Sequence, residues 1–200
     1  MTMTCEQTLE LDKPADEVWA WLCDVRNVMT LDMFHEAIDY DGGTPNVGTV
    51  IPIHHNFWGN RHIRLGRITV LKERTIGWGE SLPDPNEVDT FPHSESWSVE
   101  ALDGGRCLVR NSLKGALQGT PLRDLLAPYM WDLSIPHVLK ADLHSLAHRL
   151  GLEAEEQAAR IPAEYRALQK LVSAKSIDGV PVEEFLAVSG SHSGPPARTA

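Results

Sequence analysis

From Leu9 to Leu150 the sequence runs strand, helix, a series of strands cut by turns, and one long amphipathic helix. That order builds a curved antiparallel sheet wrapped around a C-terminal helix, an α+β arrangement. A shell of this kind is stable around a hollow centre, so an enclosed apolar molecule is the expected occupant.

The first strand is expected over 4–11, alternating around Leu9 and Leu11. Pro14 then opens a helix with Asp16 and Glu17 in its first turn, where they favour the helix dipole. Val18, Trp19, Leu22 and Val25 give it a buried face at helical spacing. A second short helix is expected over 28–34. Strands are expected over 37–40, 47–55, 62–71, 75–82, 92–102 and 106–115. Asp41-Gly42-Gly43, Gly59-Asn60, Lys72-Glu73-Arg74 and Asp103-Gly104-Gly105 supply turns, and 83–89 is a polar loop. Thr120-Pro121 reads as a helix start. Leu122, Leu125, Leu126, Tyr129, Leu133, Leu139, Leu143, Leu146 and Leu150 then form a stripe of threes and fours. Pro128 and Pro136 interrupt it, giving either a short helix, a break and a main helix ending at Gly151, or one helix kinked at Pro136.

The domain division follows. Residues 1–151 are one domain and 152–188 a helical C-terminal extension. Residues 189–200, rich in Ser, Gly and Pro, are expected to be a disordered tail. The extension could cover a cavity mouth, pair subunits into a homodimer, or do neither. A hydrophobic content of 42% over 200 residues suits a sizeable core. Cys5, Cys23 and Cys107 form no paired motif and read as reduced thiols, pointing to a cytoplasmic setting. Neither a signal-peptide pattern nor an apolar run of about 18 residues is present. A net charge of −10 disfavours nucleic acid and anionic membrane as partners.

The segment LELDKPADEVWAWLCDV (residues 9–25), Gly48-Thr49-Val50, Trp97, the strand over 107–113 and the leucine stripe resemble the START-like, or SRPBCC, superfamily. These helix-grip proteins include Bet v 1-type plant allergens and bacterial polyketide cyclases, and the polyketide cyclase/dehydrase-like branch is the one suggested here. The resemblance spans about residues 4–151. It implies a helix-grip fold and a hydrophobic small molecule bound internally. It also implies a cofactor-independent cyclase, aromatase or dehydratase as the most concrete activity. A non-catalytic carrier and a regulatory protein that uses the extension are the alternatives. No catalytic motif of the superfamily is matched, so the candidate residues come from strand alternation alone.

On the strand over 92–102, His93, Glu95, Trp97, Val99 and Ala101 share one face. The apolar members make it the inner one, so His93 and Glu95 are the candidate catalytic base and acid; a bulge that flips the register would put both in solvent. Asn111 shares a face with Cys107, Val109 and Leu113 and is a candidate anchor for a ligand oxygen, or else makes a cross-strand hydrogen bond. Of His54 and His55, one must face inward, and His54 is taken with Trp58, Trp78 and Trp97 as substrate-binding. Arg64 and Arg67 are expected in solvent because Ile63 and Leu65 claim the inner face. Gly66 would mark a bulge after which Ile68 and Val70 face in. For a metal, His144 and His148 share a helix face and His137 lies seven residues before His144, but no HExxH or third ligand accompanies them. The reading is therefore no metal and no organic cofactor. No GxSxG, Walker or GxGxxG motif is present.

Overall fold

A computed structural model describes residues 2–57, 60–117, 127–128, 130–152, 176–177 and 180–181. β1 (Met3–Leu11) leads into α1 (Ala15–Leu22) and α2 (Val25–Met29). Then come β2 (His35–Ile38), β3 (Val50–Phe57), β4 (Asn60–Lys72), β5 (Thr75–Ser81), β6 (His93–Ala101) and β7 (Cys107–Gly115). A π-helical turn, Met130–Ser134, runs into α3 (Ile135–Arg149). All seven strands form one antiparallel sheet in the order β1-β7-β6-β5-β4-β3-β2. Strands β2 to β7 are therefore a meander of neighbours, and β1 joins the far edge beside β7. α3 packs on β1 and β7, and α1 packs on β6. This is the helix-grip α+β fold.

Sequence explains three of the helix ends. α2 begins earlier than the spacing of apolar residues suggests, because Asp24 caps it: its Oδ1 accepts the Arg26 N–H at 2.9 Å. Pro136 sits in the first turn of α3, where its missing N–H costs nothing, so it starts the helix and does not kink it. α3 ends at Gly151, whose φ of 78° suits glycine. There the Gly151 N–H donates to the His148 carbonyl and the Leu152 N–H to the Ala147 carbonyl, each at 2.8 Å.

Strand registers correct three expectations. Asn60 is already paired with Phe57, so Gly59-Asn60 is not the turn pair. The bulge in β4 falls between Ile68 and Val70, and not at Gly66. Val70 consequently pairs with Gly77 on the outer face, while Ile68 and Leu71 stay with the core. Gly66 leaves room for the Ile53 side chain, whose Cδ1 would lie 2.7 Å from a Cβ there.

The main core joins Val18, Leu22, Val25, Ile51, Ile53, Ile76, Trp78, Trp97, Leu143 and Leu146. These side chains pack the space between the sheet, α1 and the C-terminal half of α3. A smaller cluster, Leu113, Trp131, Ile135 and Leu139, lies at the other end of α3 with Met3, Cys5 and Phe91 against it. A concavity of about 480 Å³ lies outside the sheet, beside Arg74, Ser98, Glu100 and Arg110. Among the described residues no helix is long and apolar enough to cross a membrane. The helix start at Thr120, Trp58, the helices expected beyond 152 and the tail at 189–200 lie outside the described residues. Among the described residues beyond 152, Ser176–Ile177 and Val180–Pro181 pair antiparallel.

Candidate functional site

Period-two alternation turns a polar set inward from five elements. β3 presents Ile51, Ile53 and His55; β4 presents Arg64 and Ile68; β5 presents Ile76, Trp78 and Glu80. β6 presents His93, Glu95, Trp97 and Val99, with Ala101 exposed at its end, and β7 presents Asn111. Register brings Glu80 opposite His93, Trp78 opposite Glu95, and Trp97 opposite Asn111. His35, at the start of β2, and Asp142, on α3, add buried polar groups from other parts of the chain.

Two networks result. The first surrounds Glu80. Its Oε1 accepts the Trp78 indole N–H at 3.0 Å and lies 3.5 Å from His35 Nε2. Its Oε2 faces His55 Nε2 at 3.0 Å, Arg64 Nε at 3.3 Å and His93 Nε2 at 3.4 Å. Arg64 also forks onto Asp89, at 3.2 and 2.7 Å, and donates to the Phe91 carbonyl at 3.1 Å. The His35 and His93 Nδ1 atoms meet the carbonyls of Met29 at 2.5 Å and Phe91 at 2.8 Å. A carbonyl only accepts, so each Nδ1 carries a proton. Burial alone would raise the Glu80 pKa. Charge on His93 and hydrogen bonds from His55 and His93 outweigh it and hold the carboxyl well below its usual range. Burial works against protonation of His93 and His35 too, but Glu80, with Asp32 beside His35, raises both. At His55 burial, helped by charge on His35, prevails over Glu80 and the pKa falls.

The second network surrounds Glu95. Its Oε1 accepts the Trp97 indole N–H at 2.8 Å. Burial, then the charge of Asp32, push its pKa up to about 7 against the pull of His35. Asp142 is raised well above the ordinary carboxyl range by burial, then by Asp32 and Glu95, although the Met33 N–H donates to it. Asn111 Nδ2 donates to Asp142 Oδ2 at 3.5 Å. Four buried polar atoms here and in the adjoining π-helical turn have no hydrogen-bond partner: Asn111 Oδ1, Asp142 Oδ1, Ser134 Oγ and Trp131 Nε1.

His93, Glu95, Trp97, Trp78 and Asn111 thus all face inward. His93 and Glu95 do not form one pair, because His93 belongs to Glu80 and Glu95 to the group around Asp142. Asn111 reaches α3 and makes no cross-strand bond. His54 is corrected: Ile51 and Ile53 fix the inner face, so His55 follows them inward and His54 faces out, 3.0 Å from exposed Asp39. Arg64 is corrected as well: it is buried while Ile63 is 42% exposed, since Glu80 and Asp89 neutralise the guanidinium. Arg67 lies outside as expected. His137, His144 and His148 lie on α3, half-buried. The metal-compatible donors converge elsewhere, where the ligand atoms of His35, His55 and Glu80 lie within 4.8 Å of one another. Sequence reasoning missed His35, Glu80 and Asp142. Glu80 stands two residues after Trp78 on one strand, and Asp142 lies within the Leu139–Leu143–Leu146 stripe; both signals were present.

No protein-family model matches this chain, and no curated protein matches it in sequence. Solved structures do match in fold. The di-domain ARO/CYC protein BexL of the BE-7585A biosynthetic pathway is 19% identical at a TM-score of 0.57. That match covers 75% of this chain and 47% of BexL, so the chain spans about half that protein's length. Ara h 8.0201 is 16% identical at a TM-score of 0.52, over 76% of this chain and all of that one. A START superfamily protein from Mycobacterium smegmatis is 14% identical at 0.50, covering 78% and 96%. At such identities the likeness is one of fold: the chain has the START-like helix-grip fold.

Proposed function

We propose, taking the START-like helix-grip fold as premise, that this protein binds a hydrophobic small molecule between its sheet and α3. We further propose that it acts on that molecule as a cofactor-independent cyclase, aromatase or dehydratase of the polyketide type. One observation carries the reading: the four unpartnered polar atoms of Asn111, Trp131, Ser134 and Asp142. Buried polar groups are ordinarily paired, and the carbonyl and hydroxyl oxygens of a polyoxygenated ligand would pair these. Leu113, Trp131, Ile135 and Leu139 supply apolar surface beside them.

Glu95 is the proton carrier. A carboxyl with a pKa of about 7 exists in both forms near neutral pH, which suits general acid–base work. Ionised Glu95 takes a proton from the carbon next to a ligand carbonyl. Protonated Asp142 donates a hydrogen bond to the oxygen that gains charge, and Asn111 orients it. Glu95 then returns its proton to the departing hydroxyl, so that water leaves and a carbon–carbon double bond forms. Holding a flexible chain in one productive fold lowers the entropic barrier.

A carrier without turnover is the second reading. It is favoured by the enclosure of Trp78 and Trp97, both fully buried, and by the engagement of His93 with Glu80 and Phe91. Native mass spectrometry of the protein from its own source, followed by denaturation, identifies any co-isolated molecule. Glu95→Gln and Asp142→Asn are then assayed on that molecule or its precursor. The enzyme reading expects turnover to fall by roughly 100-fold or more with affinity kept. Unchanged turnover sinks it, and binding without turnover in the wild type leaves the carrier.

A further inference from the structure

We propose that His35, His55 and Glu80 form a binding site for one divalent transition-metal ion of the zinc class. All three side chains are buried, and their ligand atoms lie within 4.8 Å of one another. His55 Nε2 is 3.0 Å from Glu80 Oε2, and His35 Nε2 is 3.5 Å from Glu80 Oε1. Ligand atoms bonded to zinc at about 2.0–2.2 Å stand ~3.3 Å apart around a tetrahedron, and the two imidazole contacts, one to each Glu80 oxygen, lie near that spacing.

The orientation of His35 points the same way independently. Its Nδ1 proton goes to the Met29 carbonyl, so Nε2 is the ring atom left to hold either a proton or a metal ion. That Nε2 is buried and has no hydrogen-bond partner. It faces Glu80 Oε1 at 3.5 Å and Asp32 Oδ2 at 3.7 Å, both acceptors. A ring nitrogen turned toward acceptors calls for a cation between them, either a proton or a metal ion. An imidazole whose second nitrogen is held by a backbone carbonyl is the usual posture of a metal-bound histidine. Trp78 Nε1 and Arg64 Nε fix the Glu80 carboxylate from outside.

Two imidazole nitrogens and one carboxylate select zinc, iron or their neighbours over magnesium and calcium, which take oxygen donors. His55 also borders a concavity of about 180 Å³ lined by Glu36, His54, Arg61, His62 and Ile63.

Full-length protein stripped with chelator is titrated with Zn²⁺ and, for spectroscopy, Co²⁺. One tight equivalent per chain is expected, with cobalt bands of a low-coordinate nitrogen–oxygen site and no thiolate charge transfer. His35→Gln and His55→Gln should each weaken binding by at least about 100-fold, because even outer partners of a metal site contribute roughly 10–100-fold. His54→Gln, one residue away on the outer face, and the double variant His144→Gln/His148→Gln should leave it unchanged. The site is refuted by a wild type without saturable binding, by binding indifferent to both inner variants, or by binding lost with the helix pair. If an inner variant does not fold, X-ray absorption of the zinc-loaded wild type decides. Two imidazoles with only oxygen besides support the site, and any other imidazole count or any sulfur overturns it.

Discussion

Glu80 and Glu95 are the same residue type on neighbouring strands, both on the inner face and no more than 5% exposed. Each accepts an indole N–H from a tryptophan two residues away, at 3.0 Å from Trp78 and 2.8 Å from Trp97. Yet Glu80 is held ionised far below the usual range, and Glu95 is pushed up to about 7. Burial and one hydrogen bond are common to both, so neither decides the charge state. The neighbours do. Glu80 faces His35, His55, His93 and Arg64, whereas Glu95 faces Asp32 and Asp142 with only His35 opposing them. One sheet face thus carries a locked charge beside a movable proton.

The strongest way to break this comparison is to make the same substitution at both sites. Glu80→Gln strands Arg64 and His93 in the interior without their anion. Removing one partner of a buried ion pair costs about 3–5 kcal/mol, and that loss is expected in urea denaturation with chelator present. Glu95→Gln, by contrast, removes a charge its surroundings already oppose. It should change stability by less than about 1 kcal/mol below pH 4.5, where the carboxyl is protonated in both states, and stabilise the protein by something on the order of 3 kcal/mol at pH 7. Equal losses at the two sites would show that burial, and not the neighbours, sets their behaviour.

A smaller effect follows from pH. The Glu95 pKa in the folded protein is about 7, above the ordinary 4.5 of the unfolded chain. Between those values the folded state holds the extra proton, so stability falls as pH rises. The contribution is complete below pH 4.5, is lost on the way to about pH 7, and amounts to something on the order of 3 kcal/mol. Asp32, His35, Glu80 and Asp142 face this carboxyl and titrate or carry charge themselves, so the quantity to read is wild type minus Glu95→Gln across the pH series. Asp32→Asn keeps the side-chain oxygen that accepts the Phe34 N–H and removes the charge that ranks next to burial. It should shrink the pH-dependent loss. A flat difference curve would remove Glu95 as the movable proton.

How much of this was legible depends on how local the cause is. The face of β6 could be read because His93, Glu95, Trp97 and Val99 alternate with serines over one uninterrupted strand. The face of β3 is equally readable from Ile51 and Ile53, whose alternation carries His55 inward and leaves His54 outside. β4 was not readable: its bulge falls after Ile68, and Arg64 is buried only because Glu80 and Asp89 arrive from 16 and 25 residues away. Without those anions Ile63 is the better inward candidate, and the sequence alone offers no means of seeing them. The Glu80 network likewise depends on His35, whose ring is aimed by a carbonyl six residues back across a helix end. Pattern gives strand faces, while charge clusters are made by topology.

The finest test separates the two tryptophans. Trp78→Phe and Trp97→Phe remove similar volume from fully buried sites, so their packing losses are comparable. What differs is the acceptor left behind. A hydrogen bond to a charged group contributes about 1.5–3 kcal/mol and one to a neutral group about 0.5–1.5. At pH 6, with Glu80 ionised and Glu95 mostly protonated, Trp78→Phe should be the costlier change by about 1 kcal/mol. At pH 9 both carboxyls are ionised, the Trp97 bond becomes charge-assisted, and the gap should close. In the Glu95→Gln background the acceptor stays neutral, so the cost of Trp97→Phe should no longer depend on pH. A Trp97→Phe cost that is flat with pH in the wild type would mean that the indole does not sense the proton on Glu95, and the contrast between the two sites would then rest on packing alone.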